Sequence, residues 1–163
     1  MMEKPARSSG RSQERSQWQA LFQQNTGDPV QMLVTIFEKE LPAPSTEFGQ
    51  AETVRVSMRD GIGLATRVFL PAGQGPWPVI LARYPYPMAA MMEALGRVWT
   101  RHGYAFVTQE CRGTNASEGV WVPWEHERDD GLDTIDWLKR KYWHVGEVLS
   151  LWRTVGHGRS TST

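Results

Sequence analysis

A single cysteine, Cys111, stands among the 163 residues. That excludes an intrachain disulfide and a cysteine cluster for zinc. Without a disulfide framework to imply an oxidising compartment, a reducing cytoplasm is the simplest expectation. No apolar run approaches the roughly 20 residues a membrane-spanning helix needs. Residues 1–17 are basic and Ser-rich and lack the apolar stretch of a secretory signal, so a cytoplasmic chain with no membrane partner is expected. An excess of one charge is also missing: Lys plus Arg and Asp plus Glu are 18 each, for a formal net charge of zero. Such a balance gives no electrostatic reason to expect nucleic acid as partner. What is present is enough hydrophobic content, 40% against 22% charged, to bury a core, and a length suited to one domain with extensions. Eight tryptophans, all but Trp18 at or beyond Trp77, fit an aromatic-rich core or an apolar cleft.

Residues 1–17 have almost no apolar content and read as a disordered tail. Trp18, Leu21 and Phe22 suggest a short amphipathic helix. Asp28 is placed to cap a second helix and Pro29 to open it. Met32, Leu33, Ile36, Phe37 and Leu41 then recur at helical spacing until Pro42 and Pro44. Residues 18–50 are therefore a helical extension and linker. From residue 51 the period becomes two: Val54, Val56 and Met58 alternate with polar residues, Asp60-Gly61 signals a turn, and Leu64, Thr66, Val68 and Leu70 resume the alternation. Trp77 to Ala82 is an apolar run typical of a strand covered on both faces. Met88 to His102 reads as a helix stopped by Gly103. Tyr104 to Thr108 is a second buried strand, Glu125 to Lys141 a helix with Leu132, Ile135, Trp137 and Leu138 inward, and Val148 to Trp152 the start of a third buried strand. An antiparallel hairpin leading into parallel strands with flanking helices is an α/β fold, here over residues 51–152, with residues 153–163 an irregular tail.

Several segments occur in a characteristic order. They are Met58-Arg59-Asp60-Gly61, Pro78-Val79-Ile80-Leu81, Arg83-Tyr84-Pro85-Tyr86, Gly103 to Val107, Gln109-Glu110-Cys111-Arg112-Gly113, Ala116-Ser117-Glu118-Gly119 and Asp129 to Leu138 with Trp143. This series resembles the N-terminal part of the X-Pro dipeptidyl-peptidase-like hydrolases, the CocE/NonD acyl hydrolases. The resemblance implies an incomplete α/β-hydrolase sheet and a serine hydrolase that cleaves esters or X-Pro amides through an acyl-enzyme, with small-molecule ester or peptide substrates and no cofactor. A Ser–Asp–His triad would do this chemistry, its serine on a Gly-x-Ser-x-Gly turn.

Trp143, Gly146 and Val148 match the family's approach to that turn, but Leu149 to Gly158 contains no Gly-x-Ser-x-Gly. The family's acid and histidine lie beyond this length. No catalytic nucleophile, acid or histidine is thus expected in this chain, and an altered reading frame or a truncated gene would explain its polar ending. Tyr86 is the oxyanion-hole candidate that the resemblance implies for the cocaine-esterase-like branch, its phenol able to bond a developing negative charge; otherwise it packs at a strand end. Ser150 lies in an apolar run, and Ser160 and Ser162 sit at the terminus without a helix behind them, so none is expected to act. Cys111 reads as an inert buried thiol and Arg112 as a loop-fixing ion-pair residue. Glu110 replaces the family's aspartate, which puts tight geometry around Arg112 in question. His126 and Asp130 share a helix face but lack a third ligand, so no metal is expected. The Gly113–Gly119 loop lacks the phosphate-binding lysine and reads as a turn fixed by Ser117 or Asn115. Two functions remain open: a hydrolase fragment inactive alone, or a non-enzymatic partner-binding or regulatory half-domain.

Overall fold

The computed structural model describes residues 28–150. The tails at 1–17 and 153–163 and the helix expected around Trp18 lie outside the described residues. The chain divides into two compact units between Pro42 and Ala43. In the first, helix α1 (Pro29–Glu40) begins as expected: the Asp28 carboxylate accepts from Val30 N at 2.8 Å, and Pro29 fills the first turn, where no partner for its missing N–H is needed. Leu41 turns extended ahead of Pro42.

In the second unit, β1 (Phe48–Ser57) and β2 (Gly63–Pro71) form the antiparallel hairpin, with Val54 opposite Thr66 and Val56 opposite Leu64. It starts three residues before the change of period seen at residue 51. Strands β3 (Trp77–Tyr84), β4 (Ala105–Glu110) and β5 (His144–Ser150) follow, giving the sheet order β1-β2-β4-β3-β5. β3 is parallel to both β4 and β5, while β2 joins β4 antiparallel. The fold is thus the α/β arrangement expected.

Alternating side chains divide the core between two helices, α2 (Ala89–Arg101) and α3 (Glu127–Lys139). Val79, Leu81, Ala105 and Val107 point to the α3 face, where Leu138 and Trp143 close the cluster. Ile80, Ala82, Tyr84 and Phe106 point to the other face, against Met92 and Leu95 of α2. β3 is covered on both faces, as its apolar run requires. Phe69 and Phe106 are fully buried, each worth on the order of 2–3 kcal/mol of transfer free energy. Gly96 lets α2 approach this layer: a Cβ there would stand 2.6 Å from the Phe69 ring. Gly103, at φ +82°, ends α2 where the sequence placed the stop.

Two expectations need correction. Leu132 is 43% exposed, whereas Asp130, Thr134 and Leu138 occupy the inward face of α3. Polar residues with buried partners hold positions that an apolar pattern assigns to hydrophobic ones. β5 begins at His144, not Val148, and is not buried: it pairs with β3 alone among the described residues, leaving Val145 at 46% and Leu149 at 48% exposure.

Candidate functional site

In a parallel sheet, ligands bind outside the carboxyl ends of the strands, beside the strands whose connections diverge. Here the connection leaving β3 runs over one face to β4, and the next returns over the opposite face to β5, on the far flank of β3. The crevice is therefore expected at the carboxyl ends of β3 and β5. Tyr86 lies two residues past β3, 66% exposed, its carbonyl accepting from Met88 N at 2.8 Å. Ser150 closes β5, paired with Leu81. It lines a cavity of about 320 Å³ together with Arg83, Trp124, Glu127, Arg128 and Gly131, and no histidine is among the described lining residues. Trp124 is 63% exposed on a backbone at φ +72°, a conformation a bulky residue rarely takes.

A polar network underlies this end of the sheet. Gln109 is fully buried; its Nε2 donates to Thr66 Oγ1 at 3.0 Å, and its Oε1 accepts from Arg83 Nε at 2.9 Å. Arg83 donates through Nη1 to the Glu127 carbonyl at 2.7 Å and pairs with the Glu127 carboxylate at 3.0 Å. Its Nη2 lies 3.8 Å from Asp130 without a hydrogen bond. Arg112 is shared between two carboxylates. Its Nη2 and Nε reach Asp130 at 2.6 and 3.1 Å, and its Nη1 and Nη2 reach Asp60 at 2.6 and 3.2 Å. These bonds hold the Arg112 guanidinium charged and draw the Asp60 carboxyl below its usual range. Arg59 does the same for Asp133, donating from Nη2 at 2.8 Å and from its backbone N at 2.8 Å. The tip of the β1–β2 hairpin is thereby tied to α3.

Arg112 is accordingly a fixing residue, as its sequence context implied. Glu110 does not disturb it, because the Glu110 carboxylate turns away to accept from Ala116 N at 2.7 Å. Ser117 pins the following loop, donating to the Glu110 carbonyl at 2.7 Å and accepting from Ala65 N at 2.8 Å. The Cys111 thiol is fully buried, and burial, followed by the charge of Glu127, pushes it up to about 12, so it carries no thiolate at neutral pH. Both Asp130 oxygens are bonded to Arg112, which leaves His126 without its partner for a metal. Among the described residues, no three His, Cys, Asp or Glu side chains gather as a metal site. His157, Ser160 and Ser162 lie outside the described residues. Sequence reasoning missed Trp124 and the roles of Arg83 and Gln109. Arg83 and Gln109 sit inside the motif segments quoted above, but nothing local marks Trp124.

A family model for X-Pro dipeptidyl-peptidase (S15 family) matches residues 60–149. Cocaine esterase of Rhodococcus sp. (strain MB1 Bresler) is 38% identical over 106 residues, 62% of this chain and 18% of that protein. Among solved structures, an alpha-amino acid ester hydrolase is 30% identical with a TM-score of 0.54, over 68% of this chain and 22% of that one. A CocE/NonD family hydrolase from Staphylococcus aureus is 27% identical with a TM-score of 0.53, over 61% of this chain and 22% of that one. The chain spans about a fifth of the length of these relatives. No helix among the described residues is long and apolar enough to cross a membrane. With the matched segment covering both crossovers and the strand ends around Tyr86, the chain belongs to the X-Pro dipeptidyl-peptidase (S15) family of α/β hydrolases.

Proposed function

We propose that this chain supplies the oxyanion side of a serine-hydrolase site acting on small esters or X-Pro amides, and that it forms no acyl-enzyme by itself. The observation that carries the reading is Tyr86, exposed just past the end of β3, the strand that neighbours β5. A phenol there donates to the oxygen of a tetrahedral intermediate once a nucleophile follows β5. In this sequence Leu149 to Gly158 offers no serine on a tight glycine turn, and among the described residues Ser150, on β5, has Arg83 and Glu127, not an imidazole, beside it. The purified full chain should neither take up a fluorophosphonate probe nor hydrolyse p-nitrophenyl acetate. Labelling that disappears on replacing Ser150, Ser160 or Ser162 with alanine would overturn the proposal. Co-expression with a polypeptide carrying the serine turn, aspartate and histidine should restore labelling, and Tyr86→Phe should then lower kcat about 100-fold with KM little changed.

A second reading has one observation in its favour. Val145 and Leu149 are exposed on a strand paired along one edge only among the described residues, and an open edge invites another strand. A partner-binding half-domain would melt cooperatively and co-purify with a defined partner; a chain that is monomeric with no partner in light scattering would argue against it.

A further inference from the structure

A cavity of about 700 Å³, more than twice the volume of the one beside Arg83, lies at the opposite end of the sheet, where β3 and β5 begin. It is remote from Tyr86 and takes no part in the chemistry proposed above. Its walls come from the end of β2, the turn that follows, and the approach to β5, with Gln50, Gln74, Trp77 and Tyr142 as the main side chains. Its size is that of a site for a small ligand.

The lining determines what such a ligand can be. Among the described residues no charged side chain contributes to it, so an ionic ligand would lose hydration without gaining a counter-charge from them. Two aromatic side chains line it, Tyr142 and Trp77, the latter also packed against the core. Tyr142 is 88% exposed, so its ring is not spent on the core. Trp77 is held in place: its backbone N donates to the Trp143 carbonyl at 2.7 Å, and its ring lies so close to Gly75 that a Cβ there would meet it at 2.8 Å. A fixed ring costs little entropy when a ligand stacks on it. Two primary amides, Gln50 and Gln74, complete the set. Each presents donors and an acceptor together. A proline-rich peptide, which also suits aromatic grooves, offers mainly carbonyl acceptors and would engage the amide donors but not the amide oxygens, which at these exposed side chains stay with water. Hydroxyl groups donate and accept, as the amides do.

We propose that this cavity binds a neutral sugar, its ring stacked on Tyr142 and Trp77 and its hydroxyls bonded to Gln50 and Gln74. The test is a ¹H–¹⁵N NMR titration of the full chain with cellobiose, maltose, lactose and N-acetylglucosamine. At least one should shift the Trp77 indole and the Gln50 and Gln74 side-chain amides, leaving the amides near Tyr86 unmoved. Tyr142→Ala, at an exposed position, should weaken binding at least tenfold without changing the melting temperature, and Gln74→Ala should weaken it as well. The proposal falls if none of the four sugars produces shifts, if the shifts survive Tyr142→Ala, or if a triproline peptide binds there equally well in wild type and Gln74→Ala.

Discussion

Asp130→Ala should be among the most destabilising single changes in the chain. The carboxylate is 1% exposed and makes two bonds to Arg112, at 2.6 and 3.1 Å. Removing it leaves Arg112, 7% exposed, with a buried charge and, among the described residues, only Asp60 paired with it. Breaking a buried pair from one side costs roughly 3–5 kcal/mol. The Asp60 side chain, 46% exposed, retains part of the compensation, which places the expected cost near the lower bound, about 3 kcal/mol. For a chain of 163 residues each kcal/mol moves Tm by about 2–4 °C, so a fall of roughly 6–12 °C is expected. Removing both charges is the informative control. Asp130→Ala with Arg112→Met should recover at least half of the loss, since an uncharged buried pair owes no desolvation penalty. Thermal melts by circular dichroism and urea midpoints at constant m-value measure both quantities. A single-variant loss below about 1 kcal/mol, or a double variant worse than the sum of its parts, would show that desolvated charge is not what this network manages.

Stability should also respond to acid in a defined direction. Asp60 and Asp133 have folded-state carboxyls held below their usual range by Arg112 and Arg59, so their contribution is complete above the unfolded pKa, about 3.9, and is lost as pH falls through the lower folded value. Tm should be level between about pH 5 and 7 and drop below about pH 4, and Asp133→Asn should flatten that drop. Cys111, its thiol pushed up to about 12, should resist iodoacetamide at pH 8 in the native protein and react rapidly in urea; fast native alkylation would contradict its burial. Gly96→Ala would set a methyl carbon 2.6 Å from the Phe69 ring. The urea midpoint should register a loss of about 1–3 kcal/mol despite alanine's better helix propensity, and an unchanged midpoint would mean that α2 can shift away.

The framework was legible because its signals are local. The period of two through Val54 and Val56, the Asp60-Gly61 turn, the unbroken run from Trp77 to Ala82 and the stop at Gly103 each follow from backbone geometry, and each is where the structure has it. Leu132 was misplaced because the inward positions of α3 belong to Asp130 and Thr134. Their burial depends on Arg112 and Gln109, far away in sequence. Exposure of β5 was equally hidden, since a strand's composition does not say how many neighbours it has. In the site, the fixing role of Arg112 could be read from its motif, whereas Trp124 could not. Its exposure and its φ of +72° depend on loop packing that no spacing encodes.

Gln109 shows how an arginine can set the direction of protons some distance away. A guanidinium only donates, so Arg83 fixes which end of the Gln109 amide faces it, and the oxygen must be Oε1. The NH₂ group is then turned toward Thr66, whose hydroxyl has to accept. The Thr66 proton is left to the Leu64 carbonyl at 3.2 Å. Orientation thus passes from β3 through β4 into β2 with no freedom to reverse, and a glutamate at position 109, isosteric but without that NH₂, would break the sequence at its second step.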